Sequence, residues 1–464
     1  MMKQPSILRP IHKFFTRRCT RSNQHRHTHN SINTDTLIIG GGPIGLSVAY
    51  HLSILRNNNG SDITIIERDP TYARASAVLS AGGIRQQFSL KQNVEMSLYG
   101  RDFLRNASEL LKVDNQDSEE EEEVDVQFQE HGYLFLAATN EGKEQLIQNN
   151  QVQTSVGADI QLLSPAQLKD KFPWLNTDDI LLGSFGNSGE GWFDPWSLLR
   201  GLKRKCKSLG VNFVKGSPVQ SVRDEQSGSI LAVDVMHHNE QNINRYNVSN
   251  VVNAAGAHCQ ELMNILAGFW SLQYPIPVEP RKRSIFFFHC KSNQSPEDIP
   301  NVAPLTVCPK TNVYFRSEGV VSLEGEPTGN FLCGVSPSEE VDRAIQDISE
   351  IDYADHELFD EVIWPALYHR VPAFGELKLK SSWAGLYEYN IIDQNGIIDF
   401  HPEMPNVLMV NGFSGHGLQH SPAAGRSGAE LLNNRRFTSL DLDIFSFRRC
   451  YDEAEPPVYE QGIV

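Results

Sequence analysis

Residues 36–67 read TLIIGGGPIGLSVAYHLSILRNNNGSDITIIE, and the order of residue types in this stretch decides the fold. Leu37-Ile38-Ile39 is a short apolar run of the kind a buried parallel strand needs. Gly40-x-Gly42-x-x-Gly45 follows at once, and a helical spacing of apolar residues then runs through Ile44, Val48 and Leu52. A second β-rich run, Ile63-Thr64-Ile65-Ile66, ends on Glu67, about 20 residues beyond the last glycine. Strand, glycine turn, helix, strand and terminal acid together make a dinucleotide-binding fingerprint, which an isolated glycine motif does not. Gly40 permits the tight turn, Gly42 lets backbone approach a pyrophosphate, and Gly45 lets the helix pack on the strand; the helix start offers N–H groups and a positive dipole end. Glu67 is the candidate acceptor for ribose hydroxyls. A carboxylate there repels a 2′-phosphate, so FAD or NAD fits and NADP does not. With no second GxGxxG for a second dinucleotide, a flavin alone is favoured over a nicotinamide-dependent dehydrogenase.

The chain has 464 residues, which predicts two domains rather than one core. A net charge of −16 argues against general nucleic-acid affinity. No apolar run is long enough to span a membrane, which leaves peripheral docking at most. The seven cysteines form no CxxC and no Cys/His cluster with zinc spacing, so scattered reduced thiols and no metal are expected. Residues 1–34 contain no acid but carry Lys3, Arg9, Lys13, Arg17, Arg18, Arg21 and Arg26 among Ser, Thr and His. That composition predicts a mitochondrial transit peptide over 1–33, excluded from the fold; a disordered basic tail is the plain alternative.

Downstream, residues 76–89 read SAVLSAGGIRQQFS, where small residues bring backbone close to a ligand. Arg85, the only fixed cation in the stretch, is open between an anionic substrate, a flavin edge and a structural surface role. Glu119 to Glu123 form a self-repelling loop. Residues 250–257, NVVNAAGA, read as a strand whose small-residue end, with Gly256, can meet the dinucleotide again. Residues 263–384 lack a βα rhythm and show the scattered strands of an antiparallel sheet, with a helix expected over 353–371. The expected architecture is α/β: a Rossmann-like FAD-binding domain (34–110, 188–262 and 385–440) interleaved with an α+β substrate domain (111–187 and 263–384). Near the end, 407–410 is an apolar strand leading into Gly412, Gly415 and Gly417 and a helix, a turn that would aim backbone N–H groups at an electron-rich ring. His416 in this turn either faces a substrate or holds the loop, and Tyr387 is either an active-site wall or a core aromatic.

In that order, IIGGGPIGLSVAYHL…IIE, SAGGIRQQFS, NAAGA and GFSGHGLQHSPAAG resemble the D-amino-acid oxidase / sarcosine oxidase family over residues 34–450. The resemblance implies FAD lying extended in the first domain and a substrate held between flavin and antiparallel sheet. It implies oxidation of C–N bonds in amino acids or N-methyl amines, with Arg85 on the substrate carboxylate. Relatives that bind flavin covalently use a cysteine near 384–387 or a histidine near 79–80. Neither occurs here, which implies non-covalent FAD. A lysine of sarcosine oxidases that holds the substrate carboxylate is replaced by Gln419, whose neutral amide supplies no charge. RVPAF (370–374) and SSWAGLYEYNIIDQNG carry a closer resemblance, to a mitochondrial branch of the family tied to respiratory complex I assembly. That branch implies partners among complex I subunits or assembly intermediates, and a place in the matrix or on the matrix face of the inner membrane.

Overall fold

The computed structural model describes residues 30–113, 123–290, 299–319, 328–338 and 340–460. The leader expected over 1–33 falls, up to residue 29, outside the described residues, as does most of the glutamate block.

The opening strand, Ser31–Ile39, is flanked in parallel by Ile63–Glu67 on one side and Asn242–Asn253 on the other. Asn212–Arg223 continues the sheet beyond Ile63–Glu67, and Met404–Asn411 continues it beyond Asn242–Asn253, both in parallel. Ile397–His401 closes the edge antiparallel to Met404–Asn411. The outer halves of Asn212–Arg223 and Asn242–Asn253 are joined by the antiparallel strand Ile230–His237. The central strands are apolar on both faces because helices cover them: Leu37, Ile38, Ile63, Ile65, Val251, Val252 and Leu408 are all fully buried. Helix Pro43–Leu55 begins on a proline, whose missing N–H costs nothing in a first turn. It packs against the last long helix, Gly417–Asn434, so closely that a Cβ on Gly425 would collide with the Ser47 side chain. The two ends of the chain therefore share one core.

The second domain is an eight-stranded sheet, antiparallel except where Leu305–Val307 runs beside Tyr133–Ala137. Its longest ladder pairs Val278–His289 with Lys378–Asn390. Its core is aromatic, with Phe286, Phe288, Phe315, Phe331 and Phe374 buried together. The helix expected over 353–371 is present from 356 to 370, running without interruption from His356–Leu358 through a π-helical turn at Phe359–Ile363 into Trp364–Arg370. Pro365 is the reason for the π-helical turn: it has no N–H to return to the preceding turn.

Two domain limits move. A boundary at 385 cuts the strand Lys378–Asn390, whose ladder to Val278–His289 holds one register from Ser381 through Asn390 and ties the strand to the substrate sheet. A boundary at 262 cuts helix Cys259–Ala267, whose Leu262, Met263 and Leu266 pack in the dinucleotide domain. Beyond 440 the chain stays on that domain, where Phe445 and Phe447 are buried.

A buried ion pair fastens this last segment. Arg449 donates to Asp393 through Nε at 2.6 Å and Nη2 at 3.2 Å, with side chains 2% and 0% exposed. Further on, Glu460 accepts from the backbone N–H groups of Ser89 (2.7 Å) and Leu90 (3.2 Å) and from Asn93 Nδ2 (2.9 Å). It thereby supplies the anionic cap that helix Lys91–Arg105 lacks at its apolar N-cap, Leu90. Replacing Arg449 with Met leaves Asp393 buried without its partner and should cost about 3–5 kcal/mol, read by urea unfolding. Adding Asp393→Asn should recover a large part of the loss.

Candidate functional site

The two domains enclose a cavity of about 830 Å³, near the upper end of what small-molecule sites occupy. It runs from the fingerprint turn, past Gly256, to the glycine turn before the last helix. At the first end the three glycines do different things. Gly40 has φ +109°, and a Cβ on it would collide with the carbonyl oxygen of Ala254, where the ends of two parallel strands meet. A Cβ on Gly45 would strike the carbonyl oxygen of Gly40. Gly42 is different: nothing lies within 4 Å of where its Cβ would be, so its bareness serves only what enters the cavity. Glu67 lines the same end, accepting from Gly41 N–H at 2.9 Å and Asp69 N–H at 2.7 Å, with lone pairs left over for ribose hydroxyls. Gly256 opens the second contact, at the start of a 3₁₀ turn leading into Cys259–Ala267.

At the other end the cavity wall contains Arg85, Tyr387, Gly415, His416 and Gly417. Gly45 and Gly412 lie behind the wall rather than in it. Arg85 is 4% exposed, with its guanidinium 4.0 Å from the centre of the Phe88 ring. Its Nη1 donates to the Gln87 carbonyl and its Nη2 lies 3.3 Å from His416 Nε2. His416 Nδ1 faces the Phe413 carbonyl, so the ring carries its proton on Nδ1 and presents a lone pair to Arg85. Burial, then the charge of Arg85, holds the imidazole well below its ordinary pKa. His416 is thus a neutral acceptor that orients Arg85. The hydroxyl of Tyr387 donates to the Ser414 carbonyl, and burial raises its pKa to about 12, while Arg283 stacks 4.3 Å over its ring. Arg283 is itself held by both oxygens of Asp342 at 2.8 Å, which makes it a supporting wall behind Tyr387.

Three groups beyond the sequence candidates complete the site. Gln419 Oε1 accepts from Arg85 N–H at 2.7 Å, so the amide fixes the arginine's backbone. Glu190, fully buried, accepts from Gln86 N–H at 2.5 Å and Gln87 Nε2 at 2.8 Å and lies near Arg85; burial lifts its carboxyl to about 7. The signal for it was available: an acid between Gly189 and Gly191, which take φ +74° and +146°. Glu388, on the substrate sheet, stands in the cavity wall between Gly256 and Gly417. Among the described residues no cluster of acids, histidines and cysteines is arranged to hold a metal, and no helix is long and apolar enough to cross a membrane.

The sequence pattern of FAD dependent oxidoreductases (DAO) matches residues 35–431. The chain belongs to that family. It is 43% identical over 448 residues to the FAD-dependent oxidoreductase domain-containing protein 1 of Xenopus laevis, covering 93% of this chain and 85% of that one. The protein of the same name from Bos taurus is 42% identical over 436 residues, 90% of this chain and 85% of its own. Among solved structures, an L-proline dehydrogenase from P. horikoshii shares the fold with a TM-score of 0.73 at 23% identity, over 90% of this chain and 98% of that one. Family and fold imply FAD as the cofactor, and the residues fit it: a bare Gly42 facing the cavity, a carboxylate at the ribose position, and a glycine turn opening a helix at the far end.

The glycines separate in a test. Gly42→Val should leave the thermal stability of the apo protein nearly unchanged while weakening FAD binding at least tenfold by fluorescence titration. Gly40→Ala should lower stability itself, because its strain and its collision with Ala254 are present without any ligand.

Proposed function

We propose that this chain is a mitochondrial FAD-dependent oxidoreductase acting on the C–N bond of a small amino acid or N-methyl amine, with FAD held non-covalently, and that it serves assembly of respiratory complex I. The observation that carries the chemistry is Arg85: a buried guanidinium, oriented by His416 and Phe88, in the cavity wall beside the last glycine turn. A substrate carboxylate placed there gains charge-assisted hydrogen bonds in a site that excludes water. FAD, when bound, supplies the acceptor for the electron pair that leaves the C–N carbon. The chain's own part is to bind and orient. The His416 lone pair is taken by Arg85 and the Tyr387 proton by Ser414, so neither serves as a base toward the substrate, and the reacting amine enters as its neutral form. Reduction of bound flavin by amino acids should therefore fall at least 100-fold in Arg85→Gln, measured anaerobically by stopped flow. His416→Gln should act mainly on the substrate's apparent Kd, with a smaller effect on the limiting rate.

Non-covalent attachment is supported by the two positions where relatives are expected to tether flavin. The structure brings them together, a Cβ on Gly385 coming 3.1 Å from the Leu79 side chain, and none of Leu79, Ser80 or residues 384–387 is the cysteine or histidine those relatives use. Acid precipitation of the purified protein should leave all the yellow colour in the supernatant; colour in the pellet overturns this part. The assembly role rests on the resemblance to the complex I branch together with Gln419, which holds backbone rather than substrate. Loss of mature complex I on knockout, restored by the wild-type chain, supports it, and normal complex I in the knockout overturns it. Rescue by Arg85→Gln would assign the role to the FAD-loaded protein rather than to turnover.

A further inference from the structure

The cavity that must take a dinucleotide's two phosphate charges also contains a carboxyl group with no basic partner among the described residues. Glu388 projects from the strand Lys378–Asn390 into the gap between the two late ligand contacts. Its Oε2 lies 3.7 Å from where a Cβ on Gly256 would be, and its Oε1 2.9 Å from the same point on Gly417. Its partners are the N–H groups of Gly412, 3.2 Å from Oε2, and of Phe413, 3.4 Å from Oε1, both long contacts. From the 3₁₀ turn and its helix, the Cys259 thiol faces Glu388 and is held well above its ordinary pKa, first by burial and then by the Glu388 charge. On its own strand the neighbouring phenol is Tyr387, already bonded to Ser414. On the paired strand Pro280 stands opposite, flanked by Glu279 and Arg281, and Arg281 is taken by Glu279 and by the Asp342 carbonyl. From the glycine turn comes His416, neutral and engaged with Arg85. None of these offers Glu388 a counter-charge.

We propose that Glu388 is present in the FAD-loaded protein as its neutral acid, so that each FAD bound takes up one proton onto this carboxyl. The inference rests on the cavity being the FAD site. The cavity lining includes Arg68, Arg74, Arg85 and Arg283, but Glu388 is bonded only by two backbone N–H groups, so a second anion brought into the cavity disfavours its charge and the cheaper state protonates the weaker acid. The phosphate bridge of FAD cannot be protonated near neutrality; Glu388 can, since burial already pushes its carboxyl up to about 7. The neutral acid also turns an acceptor into a donor, facing a ligand rich in ribityl hydroxyls and carbonyl oxygens. The sign follows directly: binding an anion favours the protonated form, so affinity for FAD falls as pH rises through and above the apo protein's Glu388 pKa.

The test is calorimetric titration of the apo protein with FAD at pH 8 in Tris, Hepes and Tricine. The expected binding enthalpy varies with the ionisation enthalpy of the buffer with a slope near one proton taken up. The apparent Kd should rise about tenfold between pH 8 and pH 9. Glu388→Gln should abolish the buffer dependence and flatten Kd across this range. Buffer-independent enthalpy in the wild type, or equal proton uptake in Glu388→Gln, overturns the proposal. If Glu388→Gln does not fold, the wild-type infrared difference spectrum decides: FAD binding should add a protonated-carboxyl stretch, and its absence overturns the proposal. Failure to bind FAD at any pH overturns the FAD reading and this proposal with it, whereas tight binding without proton uptake overturns this proposal alone.

Discussion

Everything in this fold hangs on how closely two backbones approach at Gly40. The first strand ends there with φ +109°, pressed on the Ala254 carbonyl at the end of the parallel strand Asn242–Asn253. Gly40 N–H is bonded to Ile66 and Ala254 N–H to Ile39, so three strand ends are locked at one level of the sheet. Because parallel strands place their carboxyl ends on one edge, the loops that follow, those with Gly42, Glu67 and Gly256, all open into the same crevice. The last strand, Met404–Asn411, joins that edge in register with Asn242–Asn253 and delivers Gly412, Gly415 and Gly417 there too. Residues nearly 400 positions apart become one site through backbone hydrogen bonds alone.

The second constraint is electrostatic. A guanidinium as buried as Arg85 is costly unless its surroundings compensate, and here compensation comes in layers. An imidazole lone pair and an aromatic face touch it, a carbonyl accepts from it, and the buried carboxyl of Glu190 lies behind the loop that carries it. Glu190 accepts from the backbone of Gln86 and the side chain of Gln87, which steadies the loop that carries Arg85. By contrast Arg283 is clamped on both nitrogens by Asp342, which makes it a wall supporting Tyr387. The two arginines differ in what is seen to hold them: an imidazole, a ring face and a carbonyl for Arg85, a clamping carboxylate for Arg283.

That difference also marks what a sequence can disclose. The fingerprint at 36–67 was legible because it is local in sequence: strand, turn, helix and acid follow within one βαβ unit. A helix cap is local in the same way: Asp194 accepts from Trp196 and Ser197 and starts helix Pro195–Ser208 where the Asp-Pro pair stands. Arg85 stood out as the only fixed charge beside a glycine pair. The domain limits were not legible, because the partners of the strand Lys378–Asn390 lie about 100 residues upstream and no local pattern shows which sheet will claim it. The π-helical turn at Phe359–Ile363 was signalled by Pro365, but a periodic apolar pattern continues across it and masked the signal.

The acids were harder still. In sequence, Glu388 sits between two tyrosines in a strand that alternates as a half-exposed strand should, and Glu190 sits in a glycine-rich turn where acids are ordinarily solvated. Only the closing of two domains around one crevice takes them out of water, and that closure is a property of pairs of segments, never of one. A carboxyl buried this way stays because the backbone around it was shaped to admit it: a Cβ at Gly186 would overlap the Glu190 carboxyl, and one at Gly417 would press on Glu388. Paired glycines and buried acids thus form a second, non-local code laid over the dinucleotide fingerprint. The first code makes room for a ligand's charge, and the second sets the proton inventory with which that charge is met.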